Sequence, residues 1–148
     1  MIVFEEMFRE SGGKPVEYQG QIIQLGDEVP VGKAARVKVV FEQTNSKWRQ
    51  GIALTTSGTF EIAGQKIKRG LALWQDTAPQ ETEFVVNSES GTLDVENTWD
   101  VGDGITELGH NGAAMIVEEI PNGRRYRCND GEPDDDFDDL IFRLEWSK

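Results

Sequence analysis

Cysteine and histidine are nearly missing from this chain. Its 148 residues include one of each, Cys128 and His110. A single cysteine excludes an intrachain disulfide, so stability has to come from a packed core, and both a cytosolic origin and export without a disulfide framework are compatible with it. Cys128 lies between Arg127 and Asn129 with no histidine nearby to activate it, and reads as a buried strand residue rather than a nucleophile. His110, between Gly109 and Asn111, reads as a loop residue, and one histidine makes no zinc site. Positive charge is also scarce: 15 Lys and Arg face 27 Asp and Glu, a net charge of −12. A surface this acidic has no means of releasing counterions from phosphates, which argues against nucleic acid as a partner. No basic amphipathic helix is present, and no apolar run is long enough to span a bilayer, so membrane insertion is not expected. The start, Met1-Ile2-Val3-Phe4-Glu5-Glu6, has neither the basic residues nor the longer apolar run of a signal peptide. The expected location is cytoplasmic at synthesis, with a leaderless route for any export.

What the chain does have is strand signals. Arg36 to Glu42 alternates polar and apolar residues before the turn-like Thr44-Asn45-Ser46. Gln21 to Leu25, Gly51 to Thr56, Thr59 to Ile62, Ile67 to Trp74, Thr82 to Asn87 and Thr92 to Glu96 are further β-rich stretches. Ser57-Gly58 is expected to end one of them, and Ala63-Gly64-Gln65-Lys66 to form a hairpin tip. Val101 to Gly112 reads as a glycine-rich loop. Ala113 to Ile120 and Arg124 to Cys128 read as a hairpin about Pro121-Asn122-Gly123, and Leu140 to Trp146 as the last strand. Short strands with turn chemistry between them predict an all-β, antiparallel sandwich of about nine strands. Residues 1–26 are expected to be an N-terminal β extension packed on the same domain, and residues 27–148 the sandwich itself.

The segment with most to say about function is Asn129-Asp130-Gly131-Glu132-Pro133-Asp134-Asp135-Asp136-Phe137-Asp138-Asp139. A run of acids is usually a solvated turn. Here, however, Asp134, Asp136 and Asp138 are spaced two apart, which brings alternate carboxylates to one side of an extended backbone. Phe137 sits inside the run as an anchor, and an apolar strand follows without a linker. Carboxylates crowded in this way repel one another unless a cation neutralises them. Oxygen ligands without sulfur or imidazole select a hard cation, and flexible crowded carboxylates favour calcium over magnesium. The loop is no EF-hand, because Asp139 stands where that motif needs glycine.

With its apolar strand ending in Trp146, the run Asp134-Asp135-Asp136-Phe137-Asp138-Asp139 resembles the closing segment of the bacterial two-calcium lectins that bind fucose and mannose. Their signature is Asp-x-Asp-Tyr-Asn-Asp. Phe137 stands here for the tyrosine and Asp138 for the asparagine. Val29-Pro30-Val31 leading into Ala35 to Phe41 resembles their first core strand, with Asn45-Ser46 at the place of a ligand-bearing Asn-Ser pair. The two anchors span residues 28 to 146, and the middle matches only in strand pattern. The resemblance implies one or two calcium ions held by Asn45, Asp130, Asp134, Asp136, Asp138 and Asp139. It implies sugar contacts from those same residues other than Asp130, joined by Ser46, Lys47 and Trp48. Sugar hydroxyls of fucose or mannose type would complete the calcium shell. It also implies a homodimer in which a terminal glycine carboxylate reaches the neighbour's calcium, whereas this chain ends Trp146-Ser147-Lys148.

The alternative from the residues alone is a structural or adhesive β-domain in which calcium only rigidifies the loop. No catalytic residues are assigned. Acids abound, but nothing separates a general acid from a base, so an enzyme is not expected. Gly102-Asp103-Gly104 is turn chemistry, since no lysine or helix start follows it. Trp48, Trp74 and Trp99 read as core or sheet-face residues, with Trp48 the one near enough to Asn45 to meet a sugar.

Overall fold

The computed structural model describes residues 4–132 and 134–147. Met1, Ile2 and Val3, Pro133 in the acidic run and the terminal Lys148 lie outside them. The fold is all-β and antiparallel, with one short helix among the described residues. After helix α1 (Phe4–Glu10) come β1 (Val16–Tyr18), β2 (Gln21–Ile23), β3 (Asp27–Pro30), β4 (Ala34–Thr44), β5 (Arg49–Ile62) and β6 (Gln65–Trp74). β7 (Glu81–Asn87), β8 (Thr92–Asp100), β9 (Glu107–Leu108), β10 (Ala114–Ile120), β11 (Gly123–Asn129) and β12 (Leu140–Ser147) complete the chain. None of the described helices is long and apolar enough to cross a membrane.

β1 and β2 form a small sheet of their own, and the other ten strands form one sheet in the order β10-β11-β12-β4-β7-β5-β8-β3, with β6 beside β5 and β9 beside β8. That sheet curls into a sandwich-like, nearly closed barrel. Period-two alternation gives the sheet one apolar face, which the curl encloses. On β4, Ala35, Val37, Val39 and Phe41 point inward, and β12 contributes Leu140, Phe142 and Leu144 across the register Phe142↔Phe41 and Leu144↔Val39. Tyr126 of β11 stacks on Phe142 with ring centroids 4.7 Å apart.

β5 joins the two halves of the barrel. Its first part, Arg49 to Thr55, pairs with β8, and its last part, Thr59 to Glu61, pairs with β7. Ser57-Gly58 therefore does not end a strand. It marks the crossover, where a Cβ on Gly58 would lie 1.9 Å from the carbonyl oxygen of Asn87. Glycine is there to allow that approach and not to break the strand. The turn Ala63-Gly64, with φ of 50° and 77°, matches the expected hairpin tip.

The open seam is closed by polar contacts. Gln24 bridges to Met115 of β10. Asp27 of β3 accepts hydrogen bonds from Arg124 Nη1 at 2.9 Å and from the Tyr126 hydroxyl at 2.7 Å, and its side chain is 9 % exposed. Burial and this carboxylate together push the Tyr126 hydroxyl far above its ordinary ionisation range. We expect Asp27→Asn to lower stability by about 2 kcal/mol, the scale of hydrogen bonds to a charged group. A urea titration would check it, and an unchanged midpoint would contradict it.

The N-terminal segment differs from the β extension expected for it. Residues 4–10 are helical because Phe4 and Phe8, four apart, bury one face, while Glu5 and Glu6 sit in the first turn and Glu5 faces Arg9. Ser11-Gly12-Gly13 ends the helix, with Gly13 donating to the Phe8 carbonyl at 2.7 Å. The β1–β2 hairpin that follows pairs with itself. Together these pieces build a second, smaller core from Phe4, Phe8, Ile23, Ala114, Ile116 and Phe137.

Candidate metal centre

The acidic loop runs from the end of β11 to the start of β12, two adjacent central strands. Its path is set by one buried amide. Asn129 donates through Nδ2 to the Asp134 carbonyl and accepts through Oδ1 from the Phe137 amide, both at 2.8 Å. Phe137 is 5 % exposed and packs against Phe4 with centroids 5.7 Å apart. Its φ of 53° lies in the left-handed region that non-glycine residues seldom occupy.

That kink changes which acids meet. The carboxylates of Asp134, Asp136 and Asp139 each offer an oxygen within 4.8 Å of the others, and this triad could hold a metal ion. The two-residue alternation expected for Asp134, Asp136 and Asp138 stops at Phe137. Beyond it Asp139 takes the third place, and Asp138 turns to accept from Asn45 Nδ2 at 2.8 Å.

Asp130 and Asp139 are almost wholly buried. Asp130 Oδ2 accepts from Ser46 Oγ at 2.6 Å and from Gln50 Nε2 at 2.9 Å, and its Oδ1 accepts from the Glu132 amide at 3.0 Å. Asp139 Oδ2 accepts from the Asp130 amide at 3.0 Å. Three buried oxygens in this region, Asp134 Oδ1, Asp138 Oδ1 and Gln50 Oε1, have no hydrogen-bond partner among the described residues. A buried polar atom left without a partner is costly, and a cation satisfies several such atoms at once.

The electrostatics carry the same message. Burial, with the neighbouring Asp136 charge next in size, raises Asp134 from its ordinary 3.8 to about 7. Burial raises Asp139 to about 8, and the Asp130, Asp134 and Asp136 charges add to it against the lowering bond from the Asp130 amide. Asp136 is also raised, first by burial and then by its contact with Asp138. Without a cation these groups keep their protons to higher pH than a free aspartate does, and a metal would displace them.

The β4–β5 loop flanks one side of the centre. Asn45 and Ser46 touch the acidic loop as described, and Ser46 Oγ also accepts from the Trp48 amide at 3.2 Å. Lys47 Nζ lies 3.6 Å from Glu132 and 5.5 Å from the Trp48 ring centroid. Trp99, by contrast, is buried, and its ring lies under Gly131, where a Cβ would come within 2.7 Å of it. Trp74 is covered by Arg49, whose guanidinium carbon is 4.4 Å from the ring centroid. Cys128 is fully buried, and burial pushes its thiol well up. His110 contacts Glu107 Oε2 at 2.6 Å.

Four residues outside the sequence-based set shape the centre: Asn129, Gln50, Tyr18 and Phe4. Only Asn129 adjoined the acidic run. Gln50 occupies an inward position of β5, and Tyr18 donates to Asp135 Oδ2 at 3.0 Å from more than a hundred residues away in the chain.

Fold and centre together define an all-β protein with a cluster of three aspartates that could hold a metal ion. No family model matches the chain, and no curated protein or solved structure matches it either.

Proposed function

We propose that this is a calcium-dependent carbohydrate-binding protein and not an enzyme. The observation that carries the reading is the convergence of Asp134, Asp136 and Asp139 beside buried oxygens that lack partners. Calcium fits that donor set, since it accepts six to eight oxygens in flexible geometry at about 2.3–2.6 Å. Asp130, Asp138 and Asn45, which hydrogen-bond along the same two loops, are the residues that would supply further oxygens or a second ion's shell. The ion would keep waters on its open side, and vicinal hydroxyls of a fucose- or mannose-type sugar would displace them. Ser46, Lys47 and Trp48 border the site from the β4–β5 loop. The lectin resemblance of the acidic loop and of Asn45-Ser46 supports the sugar half of this proposal.

A second reading is favoured by Phe137. The loop is tied through this residue to the core around Phe4, so calcium would also act as a staple joining the final strand to the N-terminal segment. That role stands without any sugar.

Calorimetry separates the two. Calcium is expected to bind, and Asp136→Ala to weaken it on the order of a hundredfold, at least the upper end of what loss of an outer-shell group costs. Monosaccharide heats that appear only with calcium support the lectin. Calcium binding without any response to a broad glycan panel leaves the staple. Unchanged calcium affinity in Asp136→Ala would sink the site assignment.

A further inference from the structure

The acidic loop also borders a cleft of about 140 Å³ that neither Asn45 nor Ser46 lines. Its base is apolar, made by Ile23, Ile116 and Phe137, all buried. Its rim is polar and comes from two separate parts of the chain. The β1–β2 hairpin contributes Tyr18, Gln19 and Gln21, while Asp135 and Asp136 come from the acidic loop, and Arg127 reaches in from β11. Asp136 thus belongs both to this rim and to the metal triad.

From these placements we infer that the N-terminal hairpin forms the second wall of the ligand site, and that the cleft takes one neutral, hydroxyl-rich ring whose edge reaches the ion beside Asp136. This rests on the calcium and sugar reading above and adds the residues that select the ligand.

The chemistry of the rim matches hydroxyl groups. Gln19 Nε2 donates to the Tyr18 hydroxyl at 3.3 Å, which donates in turn to Asp135, so hairpin and loop are already linked across the cleft. The Gln21 amide, an acceptor and a double donor, has no partner among the described residues. Arg127 spends Nε on Glu118 at 3.0 Å, and its two terminal nitrogens make no hydrogen bond among the described residues. A hydroxyl donates and accepts at once, so it pairs with amide, guanidinium and carboxylate alike. The volume is well below the roughly 300–1,000 Å³ of pockets for drug-sized ligands, which limits the occupant to a single ring. Asp135 and Asp136 on the rim outnumber the single charge of Arg127 and so disfavour a ligand carboxylate.

The test uses the full chain with calcium, neutral methyl monosaccharides and the matching uronic acids. Calcium and sugar affinities are measured by calorimetry for the parent, for Asp136→Ala and for the double variant Gln19→Ala/Gln21→Ala. Gln19 and Gln21 are exposed, so the fold should tolerate their loss. The double variant is expected to keep the parent's calcium affinity and melting temperature and to lose at least about fivefold in sugar affinity, the scale of one or two hydrogen bonds. Sugar affinity within twofold of the parent, with calcium binding intact, overturns the hairpin wall and leaves the calcium lectin standing. Tighter binding of uronic acids than of neutral sugars overturns the ligand class. A parent that binds calcium but no sugar overturns the lectin reading and this inference together.

Discussion

Calcium at a thousandfold excess over its Kd is expected to raise the melting temperature by roughly 8–16 °C over the chelated protein. The gain is linkage: an ion that binds only the folded chain adds about 4 kcal/mol at that excess. For a chain of this size each kcal/mol moves the midpoint by roughly 2–4 °C. The effect should grow with pH. In the chelated fold Asp134 titrates near 7 and Asp139 near 8, both raised from the 3.8 of an unperturbed aspartate. A raised folded pKa means that the fold keeps protons which the unfolded chain has released. The stability this gives is full below the unfolded value and is lost as pH climbs through 7 to 8. The chelated protein should therefore melt lower at about pH 8.5 than at about pH 5.5, while the calcium form loses little, because the ion replaces those protons. Melting curves at both pH values, with chelator and with calcium, measure this directly. Superimposable curves would remove the metal from the account.

Phe137→Ala should cost about 3–5 kcal/mol, the usual range for truncating a buried phenylalanine. Phe137 sits between Phe4 and the Asn129 clamp, so the vacated space opens toward the helix and the loop together. Two further results are expected. Calcium affinity should fall about tenfold or more although Phe137 offers no oxygen, since its neighbours Asp136 and Asp138 lose their fixed backbone. Amide exchange should also quicken in residues 4–10. Ile22→Ala is the control, since Ile22 is 55 % exposed and lies outside that core. It should stay within about 0.5 kcal/mol of the parent. A Phe137→Ala variant with unaltered calcium affinity would show that the loop holds its shape without this anchor.

Much of the fold could be read from the residues because strand alternation and tight-turn chemistry are local signals. β4 announces itself through Val37, Val39 and Phe41, and the β10–β11 hairpin through Pro121-Asn122-Gly123. Local signals are silent where a residue's role depends on a distant neighbour. Gly58 has the composition of a stop, but its reason is the Asn87 carbonyl on another strand. α1 is too short for its period to stand out, and what makes it helical is the pocket that receives Phe4 and Phe8. The site divides in the same way. Acid density pointed to the loop, and Asn45 and Ser46 do lie against it. Both Asp138 and Asp139 are expected as ligands from the sequence, and that Asp139 rather than Asp138 meets Asp134 and Asp136 follows from the left-handed backbone of Phe137, which two-residue spacing cannot reveal. Tyr18, Gln19 and Gln21 could not be connected to the loop without knowing where the hairpin docks.

β5 also governs how the molecule can come apart. Because one uninterrupted strand serves as the middle of both barrel halves, neither half can open while the other keeps its hydrogen-bonded partner. Unfolding should then be a single cooperative event for all ten strands of the large sheet, with only α1 and the β1–β2 hairpin free to leave earlier. A protease that nicks the Ser57-Gly58 crossover would thus release no stable fragment, whereas trimming ahead of β3 would leave a barrel that still holds together.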